Sequence, residues 1–126
     1  MSISPKKILV VDDEPDLHAI LRLRLELEGF QVFDAYEGEE ALRIFQQEQP
    51  DGVIVDVIMP GMNGFEVCKA IKAMSSTVKV IVYTAKIDGV DAGKAKEAGA
   101  DLFTVKTNNL VLLLASIKRL ILNEKF

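Results

Sequence analysis

Five short apolar runs, each followed by an amphipathic stretch, set the strongest constraint on how this 126-residue chain folds. The first run, residues 8–11 (ILVV), is apolar and largely β-branched without alternation, the pattern of a strand buried on both faces. Residues 31–35, 52–57, 78–84 and 101–105 supply four further predicted strands. Helices are predicted between and after them. The first opens at Pro15 and ends at Gly29; the others cover residues 37–48, 64–74, 88–98 and 108–123. Proline suits the first helical position and glycine the position just past the end, while Pro50 stops the second helix. The fourth helix is the poorest, because Gly89 and Gly93 each cost about 1 kcal/mol relative to alanine in a helix interior.

A strict (βα)5 alternation, without repeat, linker or low-complexity segment, implies an α/β fold. It has one parallel sheet, helices on both faces and right-handed crossovers. Working sites of such sheets lie at the carboxyl ends of the strands. Asp12 and Asp13 follow the first strand, Asp56 lies in the third, Thr84 and Ala85 close the fourth, and Lys106 follows the fifth. Taken singly, an aspartate there is as readily a helix cap or turn former, a threonine a cap, and a lysine a solvated charge. Taken together, three carboxylates, a hydroxyl and an ammonium converge on one edge.

Adjacent carboxylates repel one another and are costly to desolvate, so this edge calls for a cation. Hard oxygen ligands suit Mg²⁺, with Mn²⁺ as the alternative. Asp56 is then placed to act as a nucleophile toward phosphorus, giving an aspartyl phosphate. The cation and Lys106 would neutralise charge on the phosphoryl oxygens, and Thr84 could donate a hydrogen bond to one of them.

Composition narrows the function classes. An apolar fraction of 49% with 27% charged residues is too apolar for a disordered chain and ordinary for a soluble domain. The length suits one domain. A net charge of −4 and the lack of any Lys/Arg run argue against direct nucleic-acid binding. Cys68 is the only cysteine, which rules out an internal disulfide and fits a reducing compartment. The N-terminal MSISPKKILVV lacks the apolar stretch of a signal peptide, and the longest apolar run, residues 110–115, is far too short for a membrane span. The expected location is therefore cytoplasmic. Neither GxGxxG nor GxxxxGK[ST] occurs, which disfavours a flavin or nucleotide binder.

The motifs VVDDEP, VDVIMPGMNG, YTA, GAD and the lysine after FTV, in this order and at these spacings, resemble the receiver domains of two-component response regulators. The resemblance spans about residues 6–122. It implies a flavodoxin-like three-layer sandwich with strand order 2-1-3-4-5, and a single receiver domain over residues 1–126. It implies that Asp56 takes a phosphoryl group from a phosphohistidine on a sensor histidine kinase or phosphotransfer protein. Asp12 and Asp13 would hold Mg²⁺ together with Asp56 and the backbone carbonyl of Ile58. Thr84 would be the switch hydroxyl, Phe103 the switch aromatic, and Lys106 the partner of the phosphoryl group. The surface of the fourth helix, fifth strand and fifth helix would then change toward an output partner that the sequence does not name. Such a protein is a stoichiometric acceptor rather than an enzyme, although it can catalyse its own phosphorylation and dephosphorylation.

Two other classes compete. A pseudo-receiver would act as a phosphorylation-independent interaction module, and magnesium affinity separates it from a switch. A metal-dependent phosphatase with an aspartate nucleophile generally needs an acid/base two residues further on, where this chain has Ile58.

Some positions depart from the receiver pattern. Thr107 follows Lys106 where receivers usually carry a proline, commonly in a cis bond. A non-proline cis bond costs about 3 kcal/mol, so trans is expected, with re-tuned activation rather than loss of the site. Ile58 and Lys86 occupy the two positions that tune dephosphorylation in the family. An apolar Ile58 cannot orient an attacking water, so a long-lived phosphoryl group is expected.

The helices carry further expectations. In the first helix Leu17, Ile20 and Leu21 form the expected inward stripe, with Leu23 and Leu27 off it. In the last, Leu110, Leu113, Leu114, Ile117 and Ile121 face the sheet, while Val111, Leu112, Ala115 and Leu122 lie partly off it and offer a surface for a homodimer. His18, with no companion acid in sequence reach, is given no role. Cys68 is read as buried packing, and Met59, Met62 and Met74 as core and loop filler. Little chain follows the last helix, so no output domain is expected. That fits a stand-alone receiver or part of a longer regulator or hybrid kinase.

Overall fold

The runs without alternation occupy the middle of the sheet. In the computed structural model, which describes residues 5–85, 89–106 and 110–123, the elements alternate strictly. They are β1 (Lys7–Val11), α1 (Pro15–Leu27), β2 (Gln31–Ala35), α2 (Gly38–Glu48), β3 (Gly52–Asp56), α3 (Gly64–Met74), β4 (Lys79–Thr84), α4 (Gly89–Glu97), β5 (Leu102–Val105) and α5 (Leu110–Leu122). All pairings are parallel and the strand order is β2-β1-β3-β4-β5, a flavodoxin-like arrangement. β1, β3 and β4 are buried almost throughout, whereas the edge strands β2 and β5 are partly exposed.

Strand side chains alternate between two faces, and each face has its own core. Leu9, Val11, Val53, Val55, Val80 and Val82 meet Ala41 and Phe45 of α2 and Val67, Cys68 and Ile71 of α3. On the opposite face, Ile8, Val10, Ile54, Ile81 and Tyr83 meet Leu21 and Leu25 of α1 and Leu114, Ile117 and Ile121 of α5. The chain leaves β1 toward β2 and returns on the other side to β3. The carboxyl ends of β1 and β3 therefore flank the point where the winding reverses, which is where such sheets open a crevice.

Element ends agree with the sequence expectation to within a residue or two. Gly29 does not cap α1 itself; Glu28 does, and Gly29 follows with φ +93°, the left-handed position that glycine takes without strain. Lys86, Asp88, Thr107 and Asn108 lie outside the described residues.

The inward face of α1 differs from expectation. Ile20 is 51% exposed and Leu17 only partly buried, whereas His18, Leu21 and Leu25 are buried. The 18, 21, 25 spacing is a helical stripe whose first member is a polar ring. On α5 the expected stripe holds: Leu114, Ile117 and Ile121 are buried, while Val111 and Leu112 are exposed. Cys68 is buried, with its thiol 3.5 Å from the Ala98 carbonyl. Met59 is buried and Met62 packs on the core, but Met74 is exposed. Among the described residues, no helix is long and apolar enough to cross a membrane.

Candidate functional site

Asp12 stands where β1 stops. Its N–H still donates to the Ala35 carbonyl at 3.1 Å, so the residue is anchored to β2 and fully buried. Its Oδ1 accepts the Glu14 N–H at 2.9 Å, a local turn that leads into Pro15 and α1. Its Oδ2 accepts the Tyr83 hydroxyl at 2.7 Å and lies 2.8 Å from Lys106 Nζ. Asp13, the next residue, is exposed.

Asp56 ends β3 and is buried. Its Oδ1 accepts the Ile58 N–H at 3.4 Å, and its Oδ2 lies 3.2 Å from Lys106 Nζ. The loop beyond it is held by the N-terminus of α3, where Gly64 N–H donates to the Val57 carbonyl at 2.9 Å. Asn63 caps that helix through a reciprocal box with Glu66. Ile58 itself points outward, 72% exposed.

Lys106 follows β5 and its N–H donates to the Thr84 carbonyl at 2.6 Å, which extends the β4–β5 ladder by one bond. Its side chain crosses to β1 and β3, with the ammonium 4.9 Å over the Tyr83 ring and 3.5 Å from Glu14 Oε1. Thr84 is buried one residue beyond Tyr83, the register partner of Asp56. Phe103 pairs with Val82 on β5, partly buried, with its ring 6.3 Å from that of Phe65.

Carboxylate oxygens from Asp12, Asp13 and Asp56 all lie within 4.8 Å of one another. The set is all hard oxygen, two members buried and one open to solvent, which fits a small divalent cation that keeps several waters. Burial pushes the Asp56 carboxyl above the ordinary aspartate range; Lys106 opposes this and Asp12 adds to it. Burial disfavours the Lys106 ammonium, but the hydrogen bond to Asp12 and the charge of Asp56 outweigh it and raise its pKa, so the group stays cationic. Burial and then Asp12 drive the Tyr83 phenol far up, so it remains a neutral donor.

Thus Asp12, Asp13, Asp56 and Lys106 meet at one edge, with Thr84 and Phe103 on the two adjoining strands. Two participants escaped the sequence reading. Tyr83 lies within the YTA motif, yet nothing in a strand pattern shows that its hydroxyl reaches Asp12. His18 does have a companion acid: its Nδ1 lies 2.6 Å from Asp34 Oδ1, and its Nε2 lies 2.6 Å from the Asp12 carbonyl. Asp34 is sixteen residues downstream on β2, and only the Val10–Asp34 register brings it alongside.

The sequence matches the response regulator receiver domain family over residues 8–118. It is 43% identical over 121 residues to the probable transcriptional regulator ycf27 of Cyanophora paradoxa, covering 96% of this chain and 50% of that protein. It is 40% identical over 119 residues to the transcriptional regulatory protein PrrA of Mycobacterium leprae, covering 94% and 51%. The chain therefore spans about half the length of the curated relatives it matches. Among solved structures, TrrA of Thermotoga maritima in complex with Mg²⁺-BeF superposes with a TM-score of 0.84 at 38% identity, covering 91% of this chain and 98% of that one. The chemotaxis protein CheY4 of Vibrio cholerae gives 0.87 at 31% identity, covering 92% and 98%.

Proposed function

This chain belongs to the response regulator receiver domain family, and from that premise we propose that it is a phosphorylatable signalling switch whose acceptor is Asp56. The observation that carries the reading is the bridge made by Lys106. Its ammonium sits 2.8 Å from Asp12 Oδ2 and 3.2 Å from Asp56 Oδ2, beside three carboxylates gathered within 4.8 Å.

In the reaction a carboxylate oxygen of Asp56 attacks the phosphorus of a phosphohistidine on a sensor histidine kinase or phosphotransfer protein. The P–N bond breaks, its electron pair stays with the imidazole, which takes up a proton, and an acyl phosphate remains on Asp56. Lys106 pairs with the phosphoryl oxygens, and the Thr84 hydroxyl donates to one of them. Asp12 and Asp13, with Asp56 and the Ile58 carbonyl, would hold the Mg²⁺, or Mn²⁺ on the same donors. When bound, the cation neutralises charge spread over the phosphoryl oxygens. The Mg²⁺-BeF complex of the TrrA relative supports this assignment.

As the Thr84 hydroxyl moves toward the phosphoryl group the Phe103 ring turns inward, which alters the surface of α4, β5 and α5. That surface meets the output partner, and the exposed Val111 and Leu112 of α5 are the basis for a homodimer. Residues 1–126 act as one receiver module in the cytoplasm, as a stoichiometric acceptor and not a turnover enzyme.

The test is intact mass after incubation with Mg²⁺ and acetyl phosphate, with Asp56→Asn alongside. One added phosphoryl group in the parent and none in the variant is expected. No adduct together with no Mg²⁺ binding would replace this reading with that of an interaction module.

A further inference from the structure

His18 is 3% exposed on the inward face of α1, in line with Leu21 and Leu25. A leucine would fill such a place at lower desolvation cost than an imidazole, so the ring needs polar partners on both sides. It has them. Nδ1 lies 2.6 Å from Asp34 Oδ1, and Nε2 donates to the Asp12 carbonyl at 2.6 Å. Asp34 is itself pinned: Arg22 Nε donates to its Oδ2 at 3.0 Å, and a second Arg22 nitrogen contacts the same oxygen and the Val32 carbonyl at 3.1 Å. Tyr36 covers the imidazole, with ring centroids 4.2 Å apart.

The chain of contacts Arg22–Asp34–His18 ends on the backbone of Asp12. That residue is now held on both sides of its Cα, through its N–H on Ala35 and through its carbonyl on His18. Only Asp12, Asp13 and Glu14 separate β1 from α1. The peptide plane makes the Asp12 carbonyl and the Asp13 N–H one rigid unit, so anchoring the carbonyl fixes where the Asp13 backbone starts.

We propose that His18, held by Asp34, is a positioning residue that fixes the Asp12–Asp13 peptide and thereby sets the affinity of the acidic edge for a divalent cation. The inference rests on reading Asp12 and Asp13 as cation ligands. Groups behind metal ligands commonly change metal affinity by about 10–100-fold when removed.

Two substitutions separate positioning from packing. In His18→Asn the amide sits near the Nδ1 position, so it can keep Asp34 but cannot reach the Asp12 carbonyl. In His18→Gln the amide reaches the Nε2 position and can keep the Asp12 contact. Mg²⁺ titration of the full chain by calorimetry should show a weakening of about tenfold in His18→Asn. His18→Gln should stay close to the parent, although both variants lose stability in urea. Equal affinities in His18→Asn and the parent would overturn the proposal, as would equal losses in both variants, which would mean packing alone. If His18→Asn does not fold, His18→Leu, which fills the space but makes neither contact, carries the test: weakened Mg²⁺ binding beside near-parental binding in His18→Gln supports the proposal, and parental binding in His18→Leu overturns it. If the parent chain itself binds no Mg²⁺, the reading of the acidic edge fails first and the inference falls with it.

Discussion

Gly64 lies so close to Asp56 that a Cβ placed on it would stand 2.1 Å from the Asp56 carbonyl oxygen. It would also come within 2.9 Å of the Val57 Cα. Both are backbone atoms, so nothing can swing aside. The first residue of α3 thus sets how near the helix comes to the strand end that carries the proposed acceptor. Gly64→Ala is expected to lower stability by about 1–3 kcal/mol, read as a lower urea midpoint. Adduct formation from acetyl phosphate should slow as well, because the atoms that give way belong to Asp56 and Val57. A variant as stable and as fast as the parent would contradict this account.

Lys106 plays two parts that pull in opposite directions. Its ammonium pairs with Asp12 and Asp56, the carboxylates that the proposed cation needs, and in the proposed reaction the same ammonium pairs with the phosphoryl group. Lys106→Ala should therefore bind Mg²⁺ several-fold more tightly while forming the adduct about 100-fold more slowly, the usual scale for losing one preorganised charge-stabilising group. Calorimetry and intact mass read the two effects separately. Parallel losses in both would mean that the lysine mainly holds the fold.

Much of this was legible in the sequence, for reasons that are local. Unbroken apolar runs specify central strands, Pro15 and Pro50 punctuate them, and the strand-end rule places Asp12, Asp56, Thr84 and Lys106 on one edge. What was not legible depends on contacts between distant segments. His18 takes a core position that Ile20 was expected to share, because Asp34 arrives from β2 to satisfy its ring. The Tyr83 hydroxyl finds Asp12 across 71 residues. The need for glycine at position 64 comes from a backbone approach that no pattern of side chains announces.

The Tyr83 hydroxyl donates to Asp12 Oδ2 at 2.7 Å from a side chain that is only 2% exposed. Removing it leaves that buried carboxylate oxygen with Lys106 alone among the contacts above. Hydrogen bonds to charged groups contribute about 1.5–3 kcal/mol, so Tyr83→Phe should lose about 2 kcal/mol in Mg²⁺-free urea denaturation. An unchanged midpoint would show that Lys106 suffices to satisfy Asp12.

Cys68 should be chemically silent until the protein unfolds. Burial pushes its thiol up from the ordinary 9.0 to about 11, with Lys72 opposing and Asp101 adding slightly. The thiolate is the reactive form, and the side chain is fully buried. Alkylation at pH 8 should be negligible in the native protein and complete in urea. The unfolded thiol ionises first, so this contribution to stability is present below pH 9.0 and is lost as pH rises through about 11. Rapid native labelling would mean that the α3 face opens more readily than its packing implies.

The lifetime of the proposed phosphoryl group is expected to turn on Ile58. Its N–H donates to Asp56 Oδ1 at 3.4 Å, so it sits beside the proposed acceptor, yet its side chain is 72% exposed and purely apolar. Hydrolysis of an acyl phosphate needs a water held in line with the P–O bond, and an isoleucine has no donor or acceptor with which to hold one. The adduct on the purified parent should decay with a half-life of minutes or longer. Ile58→Asn supplies an amide at the mouth of the site without disturbing the core, since the replaced side chain is outside it. It should shorten the half-life several-fold with little change in the urea midpoint. Decay of the intact-mass adduct after removal of acetyl phosphate measures both. A parental half-life of seconds would mean that another group orients the water and that Ile58 does not control the lifetime.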